Sequence, residues 1–145
     1  MSTNANTIML TSNFRLEEHL ASAALTPGHL IELISTNKVR KHATAKGFAE
    51  VMFALEDALQ GRPISTAYAA DELVQCGIAG RGAIVQAWLE PGNNYAIGDK
   101  LQSAGDGTLQ ENSGTADLQT IAVLLEAVDL SASGAVATRA NVRIL

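Results

Sequence analysis

The chain is 145 residues long, 47% hydrophobic but only 17% charged, with a net charge of −5. That length suits about one domain, large enough to bury roughly two-thirds of the surface its unfolded form exposes. An acidic chain with 4% aromatic residues lacks the basic stripe and stacking aromatics of a nucleic-acid binder, its lone Cys76 excludes an intrachain disulfide, and no window reaches the roughly 18 apolar residues of a membrane span.

Residues 1–27 differ in texture from the rest. The stretch Met1-Ser-Thr-Asn-Ala-Asn-Thr7 has no basic segment followed by an apolar run, so no signal peptide is expected and the protein is expected to fold in a cytoplasm. Thr7-Ile-Met-Leu10 reads as a short extended piece. Asn13 to Ala24 mixes Phe14, Leu16 and Leu20 with Arg15, Glu17 and Glu18, which leaves a short amphipathic helix open before Thr26-Pro27-Gly28 ends it. The segment is expected to be an arm, extended or partly helical, that orders on a partner.

Residues 28–145 follow period two and are expected to form the domain. Leu30-Ile-Glu-Leu-Ile34 predicts a strand with a turn at Ser35-Thr36-Asn37. Lys38 to Thr44 alternates, with Val39 and Ala43 on one face and Arg40 and His42 on a polar face exposed to solvent or to a partner. Phe48, Val51, Met52, Leu55 and Leu59 fall at helical spacing, yet Val51, Phe53 and Leu55 also alternate; a strand over residues 49–56 is the preferred reading, a two- to three-turn helix the other. Glu72 to Ile78 and Ala83 to Leu89 flank Ala79-Gly-Arg-Gly82, which reads as a hairpin loop. Lys100 to Ser103 and a return strand from Thr108 flank Asp106-Gly107, a pair suited to the positive φ of a tight turn. Ile121 to Val128 is apolar on both faces, as in a central strand. Thr138, Ala140, Val142 and Ile144 alternate with Arg139, Asn141 and Arg143 at the end. Short strands with Gly, Asn, Asp or Ser between them predict a mainly β fold, an antiparallel jelly-roll or barrel-like sandwich with an extended N-terminal arm. No internal repeat is apparent.

Chemistry is hard to find. His19, His29 and His42 have no metal-ligand spacing, and His29 after Pro27-Gly28 reads as structural. Gly77 to Gly82 lacks the Lys-Ser/Thr of a phosphate loop, and Asp99 and Asp106 lack the remainder of a calcium loop, which leaves them as turn residues. Glu56-Asp57 and Asp71-Glu72 are neighbours on opposite strand faces, so neither makes an acid–base couple, and no serine sits in a Gly-x-Ser-x-Gly elbow. Cys76, alternating with Val74 and Ile78, reads as a small buried hydrophobe. No catalytic, cofactor-binding or metal-binding residue is expected, and no cofactor.

Several stretches in order carry a resemblance. They are Ala24-Leu-Thr-Pro-Gly-His-Leu-Ile-Glu-Leu33, Val39-Arg-Lys-His-Ala-Thr44, Phe53-Ala-Leu-Glu-Asp-Ala-Leu-Gln-Gly61, Tyr68-Ala-Ala-Asp-Glu-Leu-Val74, Ile97 to Leu109, and Leu125-Glu-Ala-Val-Asp-Leu130. Over about residues 24–130 the chain resembles the decoration, or cement, proteins of tailed-phage heads. The resemblance implies a β-rich virion structural protein with no catalytic site, made in the host bacterial cytoplasm and carried on the outer surface of the capsid. Its implied partners are the major capsid protein and itself, as a dimer or trimer; no nucleic acid and no membrane are expected. It transfers no functional residue by position. The candidate capsid contacts are therefore the arm's apolar residues, Ile8, Leu10, Phe14 and Leu16, and the basic strand residues Lys38, Arg40 and Lys41. The other readings are a small β-barrel binding another protein or a small ligand, and an unrecognised hydrolase with His29, Asp71 and Glu72 in a cleft.

Overall fold

Short apolar runs broken by Gly, Asn and Ser give short strands, and a computed structural model describes them over residues 6–114 and 120–145. The first half forms β1 (Phe14–Ala21), β2 (Leu30–Leu33), β3 (Lys38–Lys41), β4 (Met52–Leu55) and β5 (Leu73–Ala79), with a 3-10 turn at Ala58–Gln60. The second half forms β6 (Ile84–Leu89), β7 (Asn94–Tyr95), β8 (Lys100–Ser103), β9 (Leu109–Glu111), β10 (Ala122–Leu124), β11 (Val128–Asp129) and β12 (Thr138–Ile144). β1 to β5 close into one barrel in the order β1-β3-β2-β4-β5, and β10-β12-β6-β9-β8 close into a second; β7 and β11 pair as a separate ribbon.

The mainly β, barrel-like fold expected from the sequence is present, as two barrels of one connectivity. In the first, β1 lies parallel to β3, while β2–β3, β2–β4, β4–β5 and β5–β1 are antiparallel. In the second, β6 lies parallel to β9, while β8–β9, β8–β10, β10–β12 and β12–β6 are antiparallel. Numbering each barrel's strands in chain order, the same pairs meet in the same sense. The repeat lives in strand pairing, which many sequences satisfy, so no residue period announces it.

Local expectations change at several points; Ile121 to Val128, for one, is not a single strand but divides into β10 and β11 around a bend at Glu126. Residues 8–21 do not form a free arm: Phe14–Ala21 is a wall strand bonded along β5, and Met9 bridges Val85 of β6. Residues 1–5 of the expected arm lie outside the described residues. Ala79 to Gly82 is the crossover between barrels instead of a hairpin loop, because the neighbours of β5 are β1 and β4 while β6 pairs with β12 and β9. The ambiguous segment is a strand, shorter than expected, with Met52 and Ala54 in the core of the first barrel and Phe53 and Leu55 in the second hydrophobic cluster. His42 is buried, not solvated.

The cores follow from these faces. Val74, Cys76, Ile31, Val39, Met52 and Tyr68 fill the first barrel. The larger cluster joins Val85, Leu89, Leu101, Leu109 and Val142 of the second barrel to Phe53, Leu55 and Leu30 of the first, and Ile8 belongs to it. One apolar mass thus seals the interface between the barrels, a geometry that hydrophobic burial favours in proportion to area.

Candidate functional site

The junction between the barrels takes up His29, His42, Lys41 and Asp106 of the polar residues that the sequence singled out. The turn after β8 projects onto the β2–β3 side of the first barrel. Leu30 N donates to Gly107 O at 2.8 Å, and Lys46 N donates to Ser103 O at 2.9 Å. Gly107 has φ +85°, and a Cβ there would stand 3.0 Å from Lys41 Cβ and 3.2 Å from His29 Cδ2, so glycine is required by both conformation and space. The Asp106 carboxylate accepts from Thr108 N at 3.1 Å and from its hydroxyl, the turn role its sequence position suggested. His42 joins the same contact, with Nδ1 2.6 Å from Ser103 Oγ and Nε2 2.9 Å from Phe48 O.

On the other side of the turn, His29 stacks on Trp88 with ring centroids 5.6 Å apart. The Arg139 guanidinium lies 4.2 Å from the centre of the Trp88 ring, and its Nε donates to Pro27 O at 3.1 Å. Trp88 Nε1 donates to the same carbonyl at 2.9 Å. His29 Nδ1 accepts from Thr26 N at 3.0 Å, which fixes the neutral ring with Nδ1 bare. Burial, and after it the nearby Lys41 charge, lower the His29 pKa to about 4. The imidazole, indole and guanidinium thus act as a polar clamp on the Pro27–Gly28 loop.

Cys76, Asp71 and Glu72 are masked or paired elsewhere. Burial pushes the Cys76 thiol up to about 12, in keeping with the buried hydrophobe expected. Asp71 pairs with Lys38 at 2.6 Å and Glu72 with Arg62, while His29 sits in the clamp, so these three do not converge. Among the described residues no three His, Cys, Asp or Glu side chains are placed to hold a metal ion.

The seven candidate contacts are dispersed. Ile8 is fully buried, its N bound to the Glu56 carboxylate at 3.0 Å and its O accepting from Gln86 N at 2.9 Å, so it faces this chain's own core. Leu10 is half-buried and donates its N–H to Ile84 O; Phe14 is half-buried against the larger core. Lys38 is held by Asp71 and Arg40 by Glu32, and Lys41 packs beneath Gly107. Leu16 alone among the apolar four is well exposed, at 63%.

Leu16 belongs to a surface that sequence reasoning missed. Cross-strand register places Leu16 opposite Gly77, Glu18 opposite Gln75 and Leu20 opposite Leu73, so these side chains share the outer face of the first barrel. Leu59, 87% exposed in the 3-10 turn, overhangs a cleft of about 380 Å³ whose walls include Leu73, Glu18 and Asp57. Phe48, equally exposed, overhangs a second cleft with Val51 and Leu145. The available signal was Leu16, Glu18 and Leu20 at period two; Phe48 and Leu59 share the helical spacing of Val51, Met52 and Leu55, so the pattern does not set them apart as exposed.

The sequence matches no family model and no curated protein. Among solved structures the chain is similar to the crystal structure of the head fiber gp8.5 N base in bacteriophage phi29, at 11% identity and a TM-score of 0.60, covering 91% of this chain and 94% of that one. At that identity the likeness is one of fold, and it spans the two barrels nearly end to end.

Proposed function

We propose that the chain is a structural protein of a phage virion, seated on the outer surface of the head, where it braces the major capsid protein lattice as a decoration or cement protein. The observation that carries this reading is the fold likeness, over nearly the whole of both chains, to a protein whose own description is a phage head fiber base. Two features of the molecule support it. His29, His42 and Arg139 are spent on holding the two barrels together, and the exposed apolar residues Phe48 and Leu59 stand out as anchors for another protein. On this reading the protein performs no catalytic step. A bracing protein works through many copies, so a modest interface per copy sums to a strong hold on the lattice.

The test is electron microscopy of particles, together with co-sedimentation of the purified chain with isolated heads. Ordered density for two stacked barrels outside the shell, and loss of co-sedimentation in Phe48→Ala or Leu59→Ala, are expected. A chain that stays in the supernatant and gives no density on the particle would overturn the proposal.

A further inference from the structure

One wall of the first barrel is incomplete. β1 pairs with β5 from Phe14 to Leu20, but β3 meets it only at Leu20 and Ala21. Gly80 N donates to Asn13 O at 2.9 Å and Ala21 N donates to Glu72 O at 2.8 Å, so the odd-numbered residues turn their backbone groups towards β5. By the same alternation Phe14, Leu16 and Glu18 direct N–H and C=O away from β5, to the side where β3 has not begun. Among the described residues that edge has no strand partner, and such an edge is the kind of surface that recruits another strand.

We propose that a second copy of this chain fills it, β1 against β1, antiparallel about a two-fold axis at Leu16. The edge is complementary to itself. Centring on Leu16 sets Phe14 opposite Glu18 of the partner copy and Leu16 opposite Leu16, so the outward-directed groups meet in bonded pairs and make about six main-chain hydrogen bonds. The same register sets Arg15, whose side chain is 80% exposed, opposite Glu17 of the partner copy, twice per dimer. A shift of one residue would oppose Leu16 to Arg15 or Glu17 and set the outward-directed groups of one strand against groups of the other that point back to its own β5. Leu16 would be covered by its own copy, and Leu20 and Leu73 continue the apolar face on each side. Such an interface is isologous and closes at two subunits. It does not depend on the virion proposal: the oligomer is read in the isolated protein, head binding on particles, and either can fail alone.

Sedimentation equilibrium of the full chain over micromolar to millimolar concentration is the first measurement, with a monomer–dimer equilibrium expected. Leu16→Pro removes an N–H that β5 does not use, so it is expected to keep the cooperative thermal transition while weakening the dimer about 100-fold or more. Arg15→Glu is expected to weaken the dimer, and Arg15→Glu with Glu17→Arg to restore it. Should the proline variant fail to fold, Leu16→Cys reads the same geometry: facing Cα atoms of a bonded antiparallel pair lie about 5.5 Å apart, within disulfide range. Mild oxidation should then give a covalent dimer, with the buried Cys76 leaving wild type uncrosslinked. A wild-type chain that is monomeric throughout, a trimer, a dimer indifferent to the charge swap, or a Leu16→Cys variant that does not crosslink would each overturn the proposal.

Discussion

Deleting residues 1–23 is expected to unfold the protein outright. The segment contains β1, which walls the first barrel along the whole of β5, and Ile8, which is fully buried in the larger core. Ile8→Ala alone should cost about 2–4 kcal/mol, since it removes buried methylenes from a site tied down by the Glu56 carboxylate and by Gln86. Removing β1 as well strips one edge of β5 of its backbone partners, at roughly 1 kcal/mol or more per buried group left unpaired. Together these losses exceed the margin of about 5–15 kcal/mol on which a domain of this size stands. Thermal unfolding followed by circular dichroism checks both variants: a lowered but cooperative transition for Ile8→Ala, and no cooperative transition for the truncation. A truncated chain that melts cooperatively near the full-length temperature would show that β1 and Ile8 are dispensable.

Residues 14–21 do not announce a wall strand, and the reason is physical. A strand announces itself when one face is apolar throughout, and β1 has no such face. Its core-facing positions carry Glu17 and His19, tolerated because β3 leaves that part of the barrel open, and only Ala21 at its end is buried. β4 fails in the opposite way. Both of its faces are buried, so helical and extended periods fit equally. Where one face meets core and the other solvent or polar partners, as over Ala140, Val142 and Ile144, the pattern was legible. The turn at Asp106-Gly107 was legible too, because glycine and aspartate state their conformation locally. What it touches was not. The contacts of Ser103 with His42, and of Gly107 with Leu30 and Lys41, join residues far apart in the chain, and so does the choice that sends Gly80 to Gly82 across to a second barrel. The same limit hid the surface. An apolar residue in a polar segment looks identical whether it seals its own barrel, as Ile8 does, or stands exposed like Leu16.

Acid should weaken the clamp between the barrels before it titrates most carboxylates. In the folded protein His29 has a pKa of about 4, against about 6.5 for a free imidazole. Burial is the main cause. Lys41 and Arg139 add to it, and the Asp106 carboxylate opposes them. Between those two values the unfolded chain binds the proton and the folded chain does not, so stability is lost as pH falls through that window. Above about pH 6.5 the full contribution is present, and below about pH 4 this group takes nothing further. The shift corresponds to a loss on the order of 3 kcal/mol. Protonation would also put a hydrogen on Nδ1, where Thr26 N now donates, and bring a second cation to the Trp88 ring beside Arg139. Urea midpoints at pH 7, 5.5 and 4 provide the measurement, compared with His29→Gln. The variant is expected to be less stable at pH 7 but to have a flatter slope between pH 6.5 and 4. Equal slopes in the two proteins would show that His29 is not the group responsible.

The strip formed by residues 8–10 has a mechanical consequence. It grips β6 on one side, through Ile8 to Gln86 and Leu10 to Ile84, while β12 grips the same strand from Ile84 to Leu89. The incoming chain approaches from the Leu89 end of β6, and the outgoing chain leaves past Ala83, at the opposite end. Tension between the two ends therefore runs through β6 and loads its hydrogen bonds in parallel, as shear, instead of peeling them one at a time, with the Ile8–Glu56 bond to the first barrel beside them. The first barrel, inserted between the strip and β6 in the chain, is tied into this path through Glu56, and its own strands are not sheared. Single-molecule extension from the two ends should accordingly show one high-force rupture at β6 before any lengthening from the first barrel; early, low-force release of the first barrel would contradict this load path. The feature that looked from the sequence like a loose arm is the bolt across which the molecule carries tension.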